Sequence, residues 1–200
     1  LIGIGLFPIS RSALDSVISE IHYNPAGGND ALEFVEITNN SDTALDLSGY
    51  SFAEGIFYRF PQGTILDRDE ILVVCANETA VQAIYGITNT LGDFSGRLDG
   101  NGERLTLVNH SGIVLQTLRY RDEGKWPVGP DGTGHSLVLR HLNAAVGEPE
   151  SWVQSPELGG SPGLPNFGDE EPTRFDESVF IDIADASVSY THLRAHETDS

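Results

Sequence analysis

The sequence predicts an all-β domain, a sandwich or barrel interrupted by one short helix. Three observations carry this. Short runs rich in β-branched and aromatic residues recur along the chain, dense clusters of turn formers separate them, and a single stretch has helical apolar spacing. Residues 17–22 and 32–38 are two such runs, divided by Asn24-Pro25-Ala26-Gly27-Gly28-Asn29-Asp30, and read as strands. In the second, Leu32, Phe34 and Glu36 share one face while Glu33, Val35 and Ile37 share the other. Faces so mixed predict either an edge strand or a specifically paired carboxylate.

Further strands follow. Residues 46–52 lead into 57–60, and Pro61-Gln62-Gly63-Thr64 turns the chain toward a strand over 70–76. The helix is predicted over 78–85, because Asn77 can cap it, Ala80, Val81, Ala83, Ile84 and Tyr85 form an apolar stripe, and Gly86 stops it. Residues 104–108 and 113–120 alternate around Asn109-His110-Ser111-Gly112 and read as a hairpin. Residues 136–142 form the last predicted strand.

A body of about 150 residues buries roughly 70% of its unfolded surface, so it needs no disulfide or metal staple. The 30 acidic against 11 basic residues give a formal charge of −19, which repels phosphate backbones. Direct nucleic-acid binding is therefore not expected, since the Lys and Arg residues are scattered singly among carboxylates. Cys75, the one cysteine, lies in the apolar run Ile71-Leu72-Val73-Val74-Cys75-Ala76 and reads as a small buried hydrophobe.

The ends differ from the body. Leu1-Ile2-Gly3-Ile4-Gly5-Leu6-Phe7-Pro8-Ile9 is too short to span a bilayer but has the length of a signal-peptide apolar core, so residues 1–16 read as a truncated leader or a linker. Gly168-Asp169-Glu170-Glu171-Pro172 reads as an acidic linker, and Ser178-Val179-Phe180-Ile181-Asp182-Ile183 as the first strand of a second, truncated domain within 167–187. Residues 188–198 resemble a translated sequencing adapter, so 188–200 are set aside, and with them the i, i+4 pair His192 and His196.

The order of landmarks is more specific than any one of them. Ile18-Ser19-Glu20-Ile21, then Glu33-Phe34-Val35-Glu36-Ile37 with Asn39, then Leu45-Asp46-Leu47-Ser48-Gly49-Tyr50 resembles the opening of a lamin-tail domain. Phe60-Pro61-Gln62-Gly63-Thr64, Gly102-Glu103-Arg104-Leu105-Thr106-Leu107, Gly112, Tyr120, Trp126-Pro127, Asp131-Gly132 and Ser136-Leu137 resemble its later blocks. Trp152 and Gly160-Ser161-Pro162-Gly163-Leu164-Pro165-Asn166 resemble its closing signature, which bounds the domain at 17–166. The resemblance implies an immunoglobulin-like β-sandwich of the bacterial, exported, multidomain type. A heptad rod with sustained apolar a and d positions is missing from the sequence, which argues against a nuclear filament protein.

Candidate chemistry is sparse. Glu20, Glu33 and Glu36 are the acids that burial could tune for paired-carboxylate work, but Glu33 and Glu36 lie three apart on a strand and face opposite ways. The bland alternative is that these acids bond loop amides or face solvent. Asp99-Gly100-Asn101-Gly102-Glu103 resembles half of a calcium loop, with Asp30 and Asp42 as the loop partners it needs, although Asn101-Gly102 is also a common hairpin turn. His22, His110, His135 and His141 show no zinc spacing, no Ser sits in a GxSxG elbow, and Gly129-Pro130-Asp131-Gly132-Thr133-Gly134 lacks the Lys of a phosphate loop. Asn39, Asn77 and Asn109 stand in N-x-S/T sequons. Trp126, Trp152 and Tyr120 read as core before they read as a ligand platform.

The expectation is a non-catalytic binding or spacing module, extracellular or at the cell surface, needing no cofactor. Its partners would be a protein or a surface polysaccharide, together with other domains of its parent chain. Two alternatives stand beside it: an accessory domain of an exported enzyme whose catalytic domain lies elsewhere, and a calcium-dependent adhesion module.

Overall fold

A computed structural model describes residues 14–165. Two sheets face each other across one core. The first has six strands in the order β13-β12-β1-β2-β7-β8, the second five in the order β11-β10-β4-β5-β9. In chain order these are β1 (Ser16–His22), β2 (Phe34–Asn39), β3 (Leu45–Asp46), β4 (Ser51–Glu54), β5 (Ile56–Arg59), β6 (Ile65–Leu66), β7 (Ile71–Cys75), β8 (Thr90–Leu91), β9 (Ser95–Gly96), β10 (Arg104–Val108), β11 (Val114–Arg119), β12 (His135–Leu139) and β13 (Trp152–Leu158). A two-residue ribbon of β3 and β6 stands apart. This is the immunoglobulin-like β-sandwich that the sequence predicts.

The inward side chains alternate along each strand as a two-residue period requires. Ile21, Val35, Ile37, Val74, Leu137 and Trp152 from the six-stranded sheet meet Phe52, Ile56, Leu105, Leu107 and Leu118 from the five-stranded one. Trp126 and Tyr120 belong to the same core, and Trp152 Nε1 donates to Val146 O at 2.8 Å. Tyr120 stacks on Tyr23 with ring centroids 4.7 Å apart.

The helix α1 (Glu78–Tyr85) occupies the predicted span, since its stop signals are local. Asn77 Oδ1 accepts from Ala80 N, and Gly86 closes the end in the left-handed region, its amide donating to Gln82 O. The helix lies on the outer face of the six-stranded sheet, where Val81 joins Phe34, Val73 and Cys75 in a second small core. Among the described residues, no helix is long and apolar enough to cross a membrane.

Two expectations need correction. Strand β2 is not an edge, because it pairs with β1 on one side and β7 on the other. Its mixed faces arise because both are covered, one by the core and the other by α1 and a C-terminal loop, so every residue of β2 is buried. The last strand is not 136–142: β12 ends at Leu139, and β13 follows and pairs with it. The signal for β13 is broken by Pro156, which an edge strand tolerates because one side of its backbone needs no partner. Finally, the leader stretch 1–9, the linker and strand expected at 168–183, the adapter-like 188–200, and Asn166 lie outside the described residues.

Candidate functional site: carboxylates that hold the loops

The outer face of the six-stranded sheet presents an unusual group. Glu20 on β1 is the direct register partner of Glu36 on β2, and both are fully buried. Two acids placed so closely out of water are tolerable only when hydrogen bonds hold them. Glu20 Oε1 accepts from Ser136 Oγ at 2.5 Å and from Ser161 N at 3.0 Å, while Ser161 Oγ donates to Oε2 at 3.3 Å. Glu36 Oε1 accepts from Ser19 Oγ at 2.7 Å, and its Oε2 from Gly163 N at 3.0 Å. The closing segment Gly160-Ser161-Pro162-Gly163 is thereby strapped across β1, β2 and β12.

Gly160 is required by this strap. Its φ is +80°, and a Cβ there would stand 2.1 Å from Glu20 Oε1 and 2.7 Å from Ser136 Oγ. Tyr85 at the end of α1 adds a further tie, its hydroxyl donating to Gly159 O at 2.8 Å. Pro162, buried in the same segment, needs no donor partner for its backbone nitrogen.

Glu33 does a parallel job elsewhere. It is 1% exposed and its Oε2 accepts from Leu98 N at 2.9 Å, holding the loop between β9 and β10. Asn39 is the third such anchor. Fully buried, it donates through Nδ2 to Thr43 O at 2.8 Å, Leu66 O at 2.9 Å and Asp67 O at 3.1 Å, and its Oδ1 accepts from Ser41 N at 2.9 Å. That burial removes Asn39 as a glycan acceptor. Gly49 turns at φ +73° beside Arg59 and His110, and Asp131 Oδ1 accepts from Asn24 Nδ2 at 2.9 Å, with Gly132 in the same turn.

Burial shifts the acids. It pushes the Glu33 carboxyl up to about 7, only partly offset by the Leu98 amide. Burial, and then the facing Glu20, holds Glu36 well above the usual carboxylate range. His22, whose ring nitrogens lie 3.2 Å from Leu32 O and 3.3 Å from Gly134 O, is lowered to about 4 by burial. The signs oppose. An acid with a raised folded pKa binds more protons folded than unfolded, so its stabilisation is full below about 4.5 and falls as pH rises toward the folded value. His22 contributes in the other direction, its term being lost as pH falls from about 6.5 toward 4. The Glu33 and His22 contributions are similar in size and opposite in sign, so the raised Glu36 sets the net direction and the melting temperature should fall between pH 5 and pH 8. Glu33→Gln should flatten that slope; a slope unchanged in the variant, measured by thermal melts across the range, refutes the assignment.

The calcium candidates do not converge. Asp99 Oδ1 accepts from Asn101 N at 2.9 Å and Asn101 Nδ2 at 3.1 Å, and Glu103 Oε2 accepts from Asp99 N at 3.3 Å, so the loop bonds itself as a turn. Asp30 pairs with Arg97 at 3.5 Å and Asp42 with Arg68 at 3.1 Å. Asp30 and Asp42 lie before and after β2 and are held by different arginines. Among the described residues no group of three or more His, Cys, Asp or Glu is placed to hold a metal ion. Burial pushes the Cys75 thiol up to about 12, far from a reactive thiolate.

Sequence reading singled out Glu20, Glu36, Ser136 and Gly163 without joining them, and it gave Ser19 no role. The available signal was two acids on neighbouring strands whose alternate residues are apolar. Residues 10–122 match the family model described as Lamin Tail Domain. No curated protein matches the chain.

Proposed function

Because the chain belongs to the lamin tail domain family, we propose that it is a non-catalytic binding and spacing module of an exported, multidomain bacterial protein. The observation that carries this reading is the use made of its buried acids: Glu20, Glu33 and Glu36 each end on a loop amide, at Ser161, Leu98 and Gly163. Acids engaged by loop amides serve to hold surface loops in place. Rigid loops on a sandwich suit recognition of a protein or a surface polysaccharide outside the cell. The apolar stretch 1–9 and the acidic stretch 168–172 support export and a neighbouring domain.

The recombinant chain should show a cooperative melt and no phosphodiesterase or glycosidase turnover. Robust turnover that Glu33→Gln abolishes overturns the reading. The domain should need no cofactor, so millimolar calcium should leave its melting temperature unchanged within a degree; a rise of several degrees would instead establish a folded-state calcium site and the adhesion reading. Whether the parent protein carries its own catalytic domain is decided by the reading frame downstream in a longer sequence.

A further inference from the structure

Four strands form the edges of the two main sheets among the described residues: β13 and β8 in one, β11 and β9 in the other. Exposed edges invite strand pairing, and proteins guard them by shortness, proline or charge. Three are guarded. Strands β8 and β9 are two residues long, and β13 carries Pro156. Strand β11 is six residues long and has no proline, and its first residue Val114 and the preceding Ile113 are 58% and 61% exposed.

Its free groups can be assigned. Tyr120 N donates to Glu103 O, and backbone bonding alternates along an antiparallel pair, so the register Leu105↔Leu118 faces β10 while Thr117 and Arg119 turn their amides and carbonyls away from the sheet. Arg119 also lies directly opposite Arg104 in a pair of the close, non-hydrogen-bonded kind, and both are exposed. Like charges placed so are destabilising. Neither arginine has an acidic partner among the described residues, in a chain whose net charge is −19.

We infer that the open edge of β11 receives an extended acidic segment of a partner protein by strand addition. The segment bonds the outward amides and carbonyls of Thr117 and Arg119, and it sets a carboxylate on the face where Arg119 and Arg104 meet. Apolar residues further along the segment cover Ile113 and Val114. The main chain supplies affinity and the arginine pair supplies the preference for acid. A second copy pairing through the same edge is the poorer occupant, because β11 itself carries no Asp or Glu to set against Arg119 and Arg104. The inference rests on the binding-module reading and names its partner class.

Fluorescence anisotropy with a labelled ten-residue peptide alternating glutamate and valine tests it on the full chain. Saturable binding that weakens with salt is expected, with no binding of the lysine and valine counterpart. Arg119→Glu should weaken binding at least tenfold without loss of fold, since the new carboxylate faces Arg104. Thr117→Pro should do the same by removing an outward amide that β10 does not use, while Thr117→Val, which keeps the amide, should retain binding; melts of each variant report folding. Absence of binding, equal binding of the lysine peptide, or indifference to both Arg119→Glu and Thr117→Pro overturns the inference. So does a dimer in light scattering that Thr117→Pro abolishes, which would assign the edge to a second copy. Enzymatic turnover would overturn the binding-module reading by a separate measurement.

Discussion

A chain ended after residue 122, where the family match stops, should fail to fold. Strand β12 lies between β1 and β13, pairing Glu20↔Val138 and Ile21↔Leu137, so its removal exposes the whole free side of β1. It also deletes Trp126, Leu137, Leu139, Val146 and Trp152, all buried in the main core. At roughly 1.5–3 kcal/mol for each large side chain, these five alone contribute as much as the about 5–15 kcal/mol by which a domain is stable. The acids suffer too, because Glu20 loses Ser136 and Ser161, and Glu36 loses Gly163. Circular dichroism and one-dimensional proton spectra of residues 14–122 should show no cooperative melt and poor dispersion. A fragment melting at the full chain's temperature refutes this. Trp152→Ala within the full chain is the graded version, costing about 3–5 kcal/mol while leaving a cooperative transition.

Replacing Asn39 by Ala should be nearly as damaging as the tryptophan change, about 3 kcal/mol or more. Its amide serves the carbonyls of Thr43, Leu66 and Asp67, and its carbonyl serves Ser41. Alanine leaves these groups without partners, Leu66 O in a buried place and the others part-buried, and a buried orphan costs roughly 1–3 kcal/mol. Asn39→Asp should not rescue, because a carboxylate has no donor for three carbonyls that it would face. Urea unfolding curves report both variants. An Asn39→Ala loss below about 1 kcal/mol would mean that water reaches the site and that the anchor is dispensable.

Both experiments separate what short stretches of sequence dictate from what the assembled sandwich dictates. Helix α1 was legible to the residue, because Asn77, the apolar stripe and Gly86 act within one or two turns of each other. The β10–β11 hairpin was legible for the same reason, its loop being held by Asn109 Oδ1, which accepts from Ser111 N and Ile113 N. The ordered motifs supported the family resemblance, and the alternating strands and their turns placed the chain in the all-β class.

The site was legible only in its parts. Glu20 and Ser161 are 141 positions apart, and Glu36 and Gly163 are 127 apart, so no local pattern joins them. Strand β13 escaped notice because its neighbour is β12 and its own sequence is broken by proline, a break that matters only once the strand is known to be an edge.

By itself, then, the sequence determined the all-β class, the helix, the hairpin and the kinds of residue set aside for special work. Only the tertiary structure decided that β2 is central, that Asp30 and Asp42 pair with different arginines, and that three acids hold loops. The physical reason is that a carboxylate's role depends on whether it is buried and what bonds it there. Burial and bonding partners arise only when distant segments come together.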